Sequence, residues 1–448
     1  ISTLFNDNKT MLEKGISGAD RKHITDRLGK AGEQYRRQAY NGFDGRLVDI
    51  DIKELRHFLE TSLEWIDHSI RSSRRPDGLY HAYNLIEITD HGISVTHLYE
   101  MLEGQVAALS SGLPGPAEAL EILDALKAGP MYRPDQYSYM LYPDRKLPGF
   151  LEKNQIPESF VEQSELAKAM LHDGNTSILN RDENGKYHFN GSFKNAGDLK
   201  AALNALKETD YAAMVRNEYR TFLKAFEEVF NHRAFTGRSG TFFGYEGLGS
   251  IYWHMVSKLL LAVQENIYQA VDSGADRRVT GRLIDHYYEI RAGIGINKSP
   301  GLYGSFPTDP YSHTPAHRGA QQPGMTGQVK EDIINRWAEL GVRIHAGQLS
   351  FRPVFLNQSE FVRQPEEFRY FDDEGNPQNL PLAAGQLAFT FNRIPVIYTQ
   401  EEESAIVVDF TNGKSLRVEG STLDTELSEL VFSGSSTIGL IRVYQNFS

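Results

Sequence analysis

The stretch "GQVKEDIINRWAELGVRIHAGQLSFRPVFL" (residues 327–356) contains the change of periodicity on which the predicted fold depends. Its first half spaces apolar residues as an amphipathic helix does. The run "QLSFRPVFL" that follows is short, apolar and aromatic, which is typical of a strand. Because the change falls near Ala346, we predict helices up to residue 346 and an antiparallel β domain over residues 347–448.

Upstream of this point, residues 51–346 are predicted to form paired helices joined by long loops rich in Gly, Pro and Tyr. In residues 50–70, "IDIKELRHFLETSLEWIDHSI", apolar residues recur at helical spacing: Leu55, Phe58, Leu59, Leu63, Ile66 and Ile70. Helices that come in pairs indicate a ring of helical hairpins around a cavity. Residues 1–50 are interpreted as an N-terminal linker or helical segment, and the polar residues 173–198 as a surface hairpin.

Downstream, the runs "QLAFTFNRIPVIYTQ" (386–400) and "SAIVVDFTNGKSLRVEG" (404–420) have the composition of strands. Asn412-Gly413 lies inside the second run and is a strong signal for a hairpin turn. These runs predict antiparallel pairing in the C-terminal part of the chain.

Composition excludes several classes of function. The net charge of −12 over 448 residues argues against a nucleic-acid surface, which needs clustered Lys and Arg. The absence of cysteine excludes thiol catalysis and Cys-ligated zinc. The sequence has no apolar run near the ~20 residues of a membrane span, so we expect a cytoplasmic protein that binds no membrane.

Four loop regions concentrate polar, aromatic and charged groups, and they supply the candidate site residues. From residues 74–84, 132–145 and 244–265 these candidates are Asp77, Tyr80, His81, Arg133, Asp135, Gln136, Tyr245, Glu246, Trp253, His254 and Lys258. Ordinary packing, a turn around Asp77 or a helix cap at Asp135 would also explain several of them. His254 and Lys258 are four residues apart and share a helix face, which could equally be a solvated one.

The fourth loop, "FPTDPYSHTPAHRGAQQPGMTG" (306–327), has the composition of an anion site. Its candidates are His313, His317, Arg318, Gln322, Thr326 and Gly327. Helix N-terminal amides beside a guanidinium hold phosphate or sulfate well. We predict no metal, because Pro315 separates the two histidines and prevents a regular helix from presenting both.

Residues 321–356 resemble a signature region of the cellobiose-phosphorylase type of inverting glycoside phosphorylases, and most closely the 1,2-β-oligoglucan phosphorylases. The resemblance rests on Thr326-Gly327 opening a helix, on Leu340-Gly341-Val342-Arg343, and on Arg352-Pro353. "GLGSIYWHMVSKLLL" is similar to the helix that follows the acid region of that family. The resemblance implies an (α/α)6 barrel followed by an antiparallel β-sandwich layer.

The resemblance also implies a chemistry. Inorganic phosphate attacks a terminal β-glucosidic bond of a gluco-oligosaccharide, inverts the anomeric carbon and releases glucose 1-phosphate, while one carboxylic acid protonates the leaving oxygen. Thr326 and Gly327 match the phosphate-binding Thr-Gly of the family, and His313 or His317 its phosphate-binding histidine. Phosphate is then a co-substrate, and no cofactor is expected.

This sequence departs from the family pattern in two ways. The usual Gly-Asp-Trp-Asn-Asp stretch is absent, which leaves Asp135, our first choice, and Glu246 as candidates for the acid. The N-terminal β-sandwich of the family is also absent, and the chain starts at Ile1, so we expect a C-terminal portion of a longer protein or a partner chain. A homodimer, a β-glucan hydrolase and a non-catalytic sugar-binding domain remain open alternatives.

Overall fold

The computed structural model describes residues 1–42, 45–144, 148–231, 251–294, 299, 301, 326–372, 374–434 and 436–447. The chain divides into two compact units. One unit comprises Ile1–Tyr139 and Ile251–Ser448, and the other comprises Met140–Ser250. The stretch 51–346, predicted as one barrel domain, therefore contains a separate unit within it.

The first unit begins with helices α1 (Ser2–Asp7), α2 (Met11–Lys14), α3 (Gly18–Tyr40) and α4 (Ile52–Ser72), followed by the antiparallel pair β1 (Leu85–Ile88) and β2 (Ile93–Thr96). Ser17 and Asp20 form a capping box that starts α3, and the Asp51 side chain caps α4. The helix predicted within residues 50–70 is confirmed as α4. Its apolar stripe, however, is about half exposed at Leu59 and Leu63.

Helices α5 (Leu102–Ser110) and α6 (Pro116–Ala128) follow, with the short antiparallel pair β3 (Tyr132–Arg133) and β4 (Ser138–Tyr139). The chain returns to this unit with α12 (Trp253–Asp272), α13 (Arg277–Ala292) and α14 (Thr326–Glu339). Helix α12 packs against α5, α13 and α14 and buries most of its length. Helices therefore pack around α12, whereas the closed six-hairpin barrel stays a prediction.

The second unit contains α7 (Phe150–Lys153), α8 (Glu158–Gln163), α9 (Glu165–His172), the hairpin of β5 (Leu179–Arg181) and β6 (Tyr187–Phe189), α10 (Ala196–Leu206) and α11 (Ala212–Phe230). Its core is apolar and aromatic, with Phe222 and Phe226 of α11 at its centre. The hairpin predicted within residues 173–198 is confirmed. Asn154 holds it in place, since its side-chain amide exchanges two hydrogen bonds, of 2.8 and 2.9 Å, with the Phe189 backbone.

In the C-terminal part, antiparallel pairs are formed by β7 (Val342–His345) with β8 (Gln348–Phe351), by β9 (Glu366–Phe371) with β10 (Pro377–Leu382), and by β11 (Gln386–Phe391) with β12 (Ile394–Gln400). Strands β13 (Ala405–Phe410) and β14 (Ser415–Glu419), helix α15 (Thr425–Phe432) and strand β15 (Ile438–Gln445) complete this part, and β13 pairs antiparallel with both β14 and β15. The main sheet has five strands in the order β11-β12-β15-β13-β14.

This sheet corrects the prediction of a purely antiparallel domain, because β15 pairs parallel to β12. Strands β13 and β14 and helix α15 lie between β12 and β15 in the chain, and parallel pairing requires such a long crossover connection. One face of the sheet is apolar, with Val396, Ile441 and Val408 in one cross-strand row. The β7–β8 hairpin and α15 contribute to the same core, so within the described residues this face is covered by a hairpin and a helix rather than by a second large sheet.

The turn between α14 and β7 depends on Gly341, which has a φ of +70°. A Cβ at this position would lie 2.0 Å from the backbone nitrogen of Pro353. The Arg352 amide donates a 2.8 Å hydrogen bond to the Gly341 carbonyl. The Leu-Gly-Val-Arg and Arg-Pro segments singled out in the sequence therefore contact each other directly. Among the described helices, none combines the length and apolarity needed to cross a membrane.

Candidate functional site

The beginnings of α12 and α14 bring predicted site residues together. Helix α14 starts at Thr326, as predicted, so Thr326 and Gly327 occupy its first turn. His254, in the first turn of α12, places Nε2 3.8 Å from Oε1 of Glu331 on α14. Trp253 and Lys258 are half-buried on the same stretch of α12. A candidate site therefore lies between the N-terminal halves of these two helices.

Helix α14 turns a polar face inward, which sequence reasoning did not predict. Glu331, Asn335 and Glu339 recur every four residues and are 8%, 3% and 2% exposed. On the opposite face, Ile333 and Trp337 are more than 40% exposed. The sequence contains a signal for this polar face, since polar residues recur there every four positions. An argument from hydrophobic periodicity misses it, because such an argument assigns the apolar face of a helix to the core.

The inner face of α14 is fully paired at its C-terminal end. Glu339 accepts a 2.7 Å hydrogen bond from the Tyr287 hydroxyl and forms ion pairs with Arg291 at 3.0 Å and Arg336 at 2.7 Å. Next to Glu331, desolvation and, second, the Glu331 carboxylate raise the pKa of Asp332. The same helix thus carries a fully paired carboxylate, Glu339, and a carboxyl group with a raised pKa, Asp332.

The predicted acid Asp135 lies in the β3–β4 turn. Arg133 donates two hydrogen bonds to its carboxylate, at 3.0 and 2.7 Å, and the Asp135 side chain is 59% exposed. These bonds lower the pKa of Asp135. A general acid needs a raised pKa, so the acid role stays a prediction that this ion pair argues against. The backbone amide of Gln136 closes the turn on the Arg133 carbonyl at 3.1 Å.

The loop at residues 74–84 is held by internal contacts. Asp77 binds the Arg75 guanidinium through both carboxylate oxygens, which lowers the Asp77 pKa. Tyr80 is 2% exposed, and its hydroxyl donates to Glu118 at 2.9 Å; burial, followed by Glu118, raises the Tyr80 pKa to about 12. These contacts within the protein account for the side-chain positions of Asp77 and Tyr80 without a ligand. The substrate-binding role of the two residues stays a prediction.

His81 stacks on His97 with ring centroids 4.0 Å apart. Desolvation and, second, His97 lower the His81 pKa. His81 also borders a groove of about 910 Å³ whose walls are mainly apolar, with Ile24, Trp65 and Ile93 among them. Specific small-molecule sites carry precisely placed polar groups, so this groove is a weaker candidate than the polar groups at the beginnings of α12 and α14.

Six residues of the predicted site lie outside the described part of the chain: Tyr245, Glu246, His313, His317, Arg318 and Gln322. Their assignments stay predictions. Within the described ranges, no group of three or more His, Asp or Glu side chains could hold a metal ion.

Part of the chain matches a known protein family. Residues 147–233 match the family model described as GH149 phosphorylase insertion domain 2. This range falls wholly within the second unit, Met140–Ser250. No curated protein matches the chain. The matched insertion domain supports a glycoside phosphorylase of the GH149 type.

Proposed function

We propose that this chain catalyses reversible, inverting phosphorolysis of β-glucosidic bonds in gluco-oligosaccharides and releases glucose 1-phosphate. The observation that carries the proposal is the match of residues 147–233 to an insertion domain of phosphorylases. The position of that segment in the sequence agrees with the proposal, because it lies between the two parts of the chain that form the first unit, whose helices pack around α12. A 1,2-β linkage is the finer form of the proposal, taken from the resemblance of residues 321–356.

In this proposal, phosphate binds at the N-terminus of α14. The free amides of the first helical turn and the positive end of the helix dipole favour an anion there. Thr326 and Gly327 occupy that turn. His313 or His317, with Arg318 and Gln322, would add charged and polar contacts from the preceding loop. Phosphate then attacks the anomeric carbon itself, so that no second carboxylate is required as base.

The leaving oxygen needs one proton from a carboxylic acid. Asp135 and Glu246 are the two candidates from the sequence. Because Arg133 keeps the Asp135 carboxyl ionised near neutral pH, we favour Glu246 for this role. Replacing the acid by its amide should reduce turnover by ~10²–10⁴-fold, the usual contribution of general acid catalysis.

The decisive experiment incubates the full chain with sophorose, laminaribiose or cellobiose, with and without inorganic phosphate. Phosphorolysis gives α-glucose 1-phosphate only when phosphate is present. Release of glucose that does not depend on phosphate would identify a hydrolase instead. Binding of a disaccharide without any product would identify a non-catalytic sugar-binding domain. Thr326→Ala should raise the KM for phosphate more than the KM for the sugar.

A further inference from the structure

The inner face of α14 contains buried polar atoms that lack partners. Within the described residues, Oε2 of Glu331 and both Oδ1 and Nδ2 of Asn335 make no hydrogen bond. Glu331 is 8% and Asn335 3% exposed. Buried polar groups in folded proteins are normally paired, and unpaired ones carry a desolvation penalty. Three such atoms on adjacent turns of one helix indicate a position that a ligand completes.

The pattern along α14 locates this position. Glu339, one turn beyond Asn335, is fully paired with Tyr287, Arg291 and Arg336. The unpaired atoms therefore lie on the turns of the helix that precede Glu339. At 1.5 Å rise per residue, Glu331 lies ~8 Å and Asn335 ~14 Å from the start of the helix. A ligand that reaches both side chains would extend along the helix from a phosphate bound at that start, as an oligosaccharide chain can.

The chemistry of these atoms selects the ligand class. A carboxylate oxygen accepts hydrogen bonds, while the Asn335 amide both donates and accepts. The His254 imidazole, 3.8 Å from Glu331, adds another hydrogen-bonding group. Neighbouring hydroxyl groups of a neutral sugar satisfy such a set. An anion would be repelled by the Glu331 carboxylate, and an apolar ligand would leave every atom unpaired.

We propose that Glu331 and Asn335, assisted by His254, form a subsite that binds hydroxyl groups of the gluco-oligosaccharide. This inference rests on the proposed function and assigns residues and a ligand class to it. Glu331 and Asn335 bind substrate directly in this proposal. The subsite therefore makes a prediction about sugar affinity that is independent of turnover.

The test compares Glu331→Gln and Asn335→Leu with the wild-type full chain. Affinity for sophorose, laminaribiose and cellobiose is measured by calorimetry, and KM is measured separately for sugar and phosphate. Loss of hydrogen bonds to a charged or buried polar group should weaken sugar affinity by ~10- to 100-fold. The phosphate KM should change less than threefold. Ile333→Asn, on the exposed opposite face of α14, is the matched control and should bind sugar normally.

Stability of the free protein provides a second measurement. Because the Asn335 amide is unpaired, Asn335→Leu should leave the urea midpoint of the sugar-free chain unchanged or raise it. A marked decrease would show that the amide is paired within the protein, and it would overturn the proposal. Unchanged sugar affinity in both variants would overturn it as well, as would a wild-type chain that binds none of the sugars.

Failure of the proposed function gives a different result. If the wild-type chain binds sugar but forms no glucose 1-phosphate, the phosphorylase assignment fails. Loss of that binding in Glu331→Gln and Asn335→Leu would still support the subsite. The two proposals are thus tested separately by one set of variants.

Discussion

Replacing Gly341 by Ala should destabilise the C-terminal part of the protein through two separate effects. The first is backbone strain, because φ at this position is +70° and side chains with a Cβ rarely adopt that region. The second is a steric clash, because the new Cβ would lie 2.0 Å from the Pro353 nitrogen and 2.2 Å from the Arg352 carbonyl carbon. Both neighbours are backbone atoms, so that no side-chain rotation relieves the contact.

The magnitude follows from these two terms. A residue with a Cβ in the left-handed region costs ~1–2 kcal/mol, and overpacking adds ~1–3 kcal/mol. Gly347 provides a matched control in the adjacent β7–β8 turn, since it has a φ of +79° and its nearest neighbour, Cγ2 of Thr425, is 4.0 Å away. Gly347→Ala should therefore show only the strain term.

The assay is urea unfolding of the full chain, with hydrogen exchange of β8 as a local measurement. Gly341→Ala should lower the free energy of unfolding by ~2–5 kcal/mol, and Gly347→Ala by ~1–2 kcal/mol. Equal losses in the two variants would refute the steric argument. Faster exchange of the Arg352 amide, which directly follows β8, in Gly341→Ala alone would support it, because that amide is hydrogen-bonded to the Gly341 carbonyl.

Three further predictions follow from ion pairs and buried amides. Asp135→Asn should change turnover less than tenfold, since its carboxylate is ion-paired and exposed; a 100-fold loss would restore it as the acid. Arg343 lowers the pKa of Asp272, so Asp272→Asn should reduce the free energy of unfolding by ~0.5–1 kcal/mol at pH 6. This difference from the wild type should vanish as the pH falls through the folded-state pKa of Asp272, which lies below the unfolded value of about 3.9. A difference that persists at acid pH would contradict the ion pair. Asn154→Ala should cost ~2–4 kcal/mol in the second unit, because two buried backbone groups of Phe189 lose their partners; unchanged hydrogen exchange in β6 would contradict it.

Several elements could be predicted from the sequence because local signals and packing agree there. The predicted change from helix to strand occurs, but a few residues before Ala346, since α14 ends at Glu339 and β7 begins at Val342. Asn412-Gly413 forms the predicted turn between β13 and β14, and Gly413 has a φ of +82°. Periodicity and turn chemistry act within a few residues, so a single sequence reveals them.

Other features depend on contacts between distant parts of the chain. The parallel pairing of β12 with β15 joins residues more than 40 positions apart, and no turn signal encodes it. The separate unit at Met140–Ser250 was also missed, because its helices have the same periodicity as those around it. Composition alone does not show which helices pack with which.

The candidate site shows a different limit, which concerns what a helix faces. A sequence argument places Ile333 and Trp337 in the core and Glu331 and Asn335 in solvent, whereas the structure leaves the first two about half exposed and buries the other two. Burial of apolar area stabilises by ~25 cal/mol per Å², so exposing that face and burying the polar one is unfavourable for an isolated fold. A protein retains such an arrangement when the polar face has a partner, and Glu339 has found its partners within the chain. Within the described residues, Glu331 and Asn335 have side-chain polar atoms without hydrogen-bond partners. This difference between paired and unpaired polar groups on one helix, more than any single motif, is the physical reason for our proposal of a sugar subsite there.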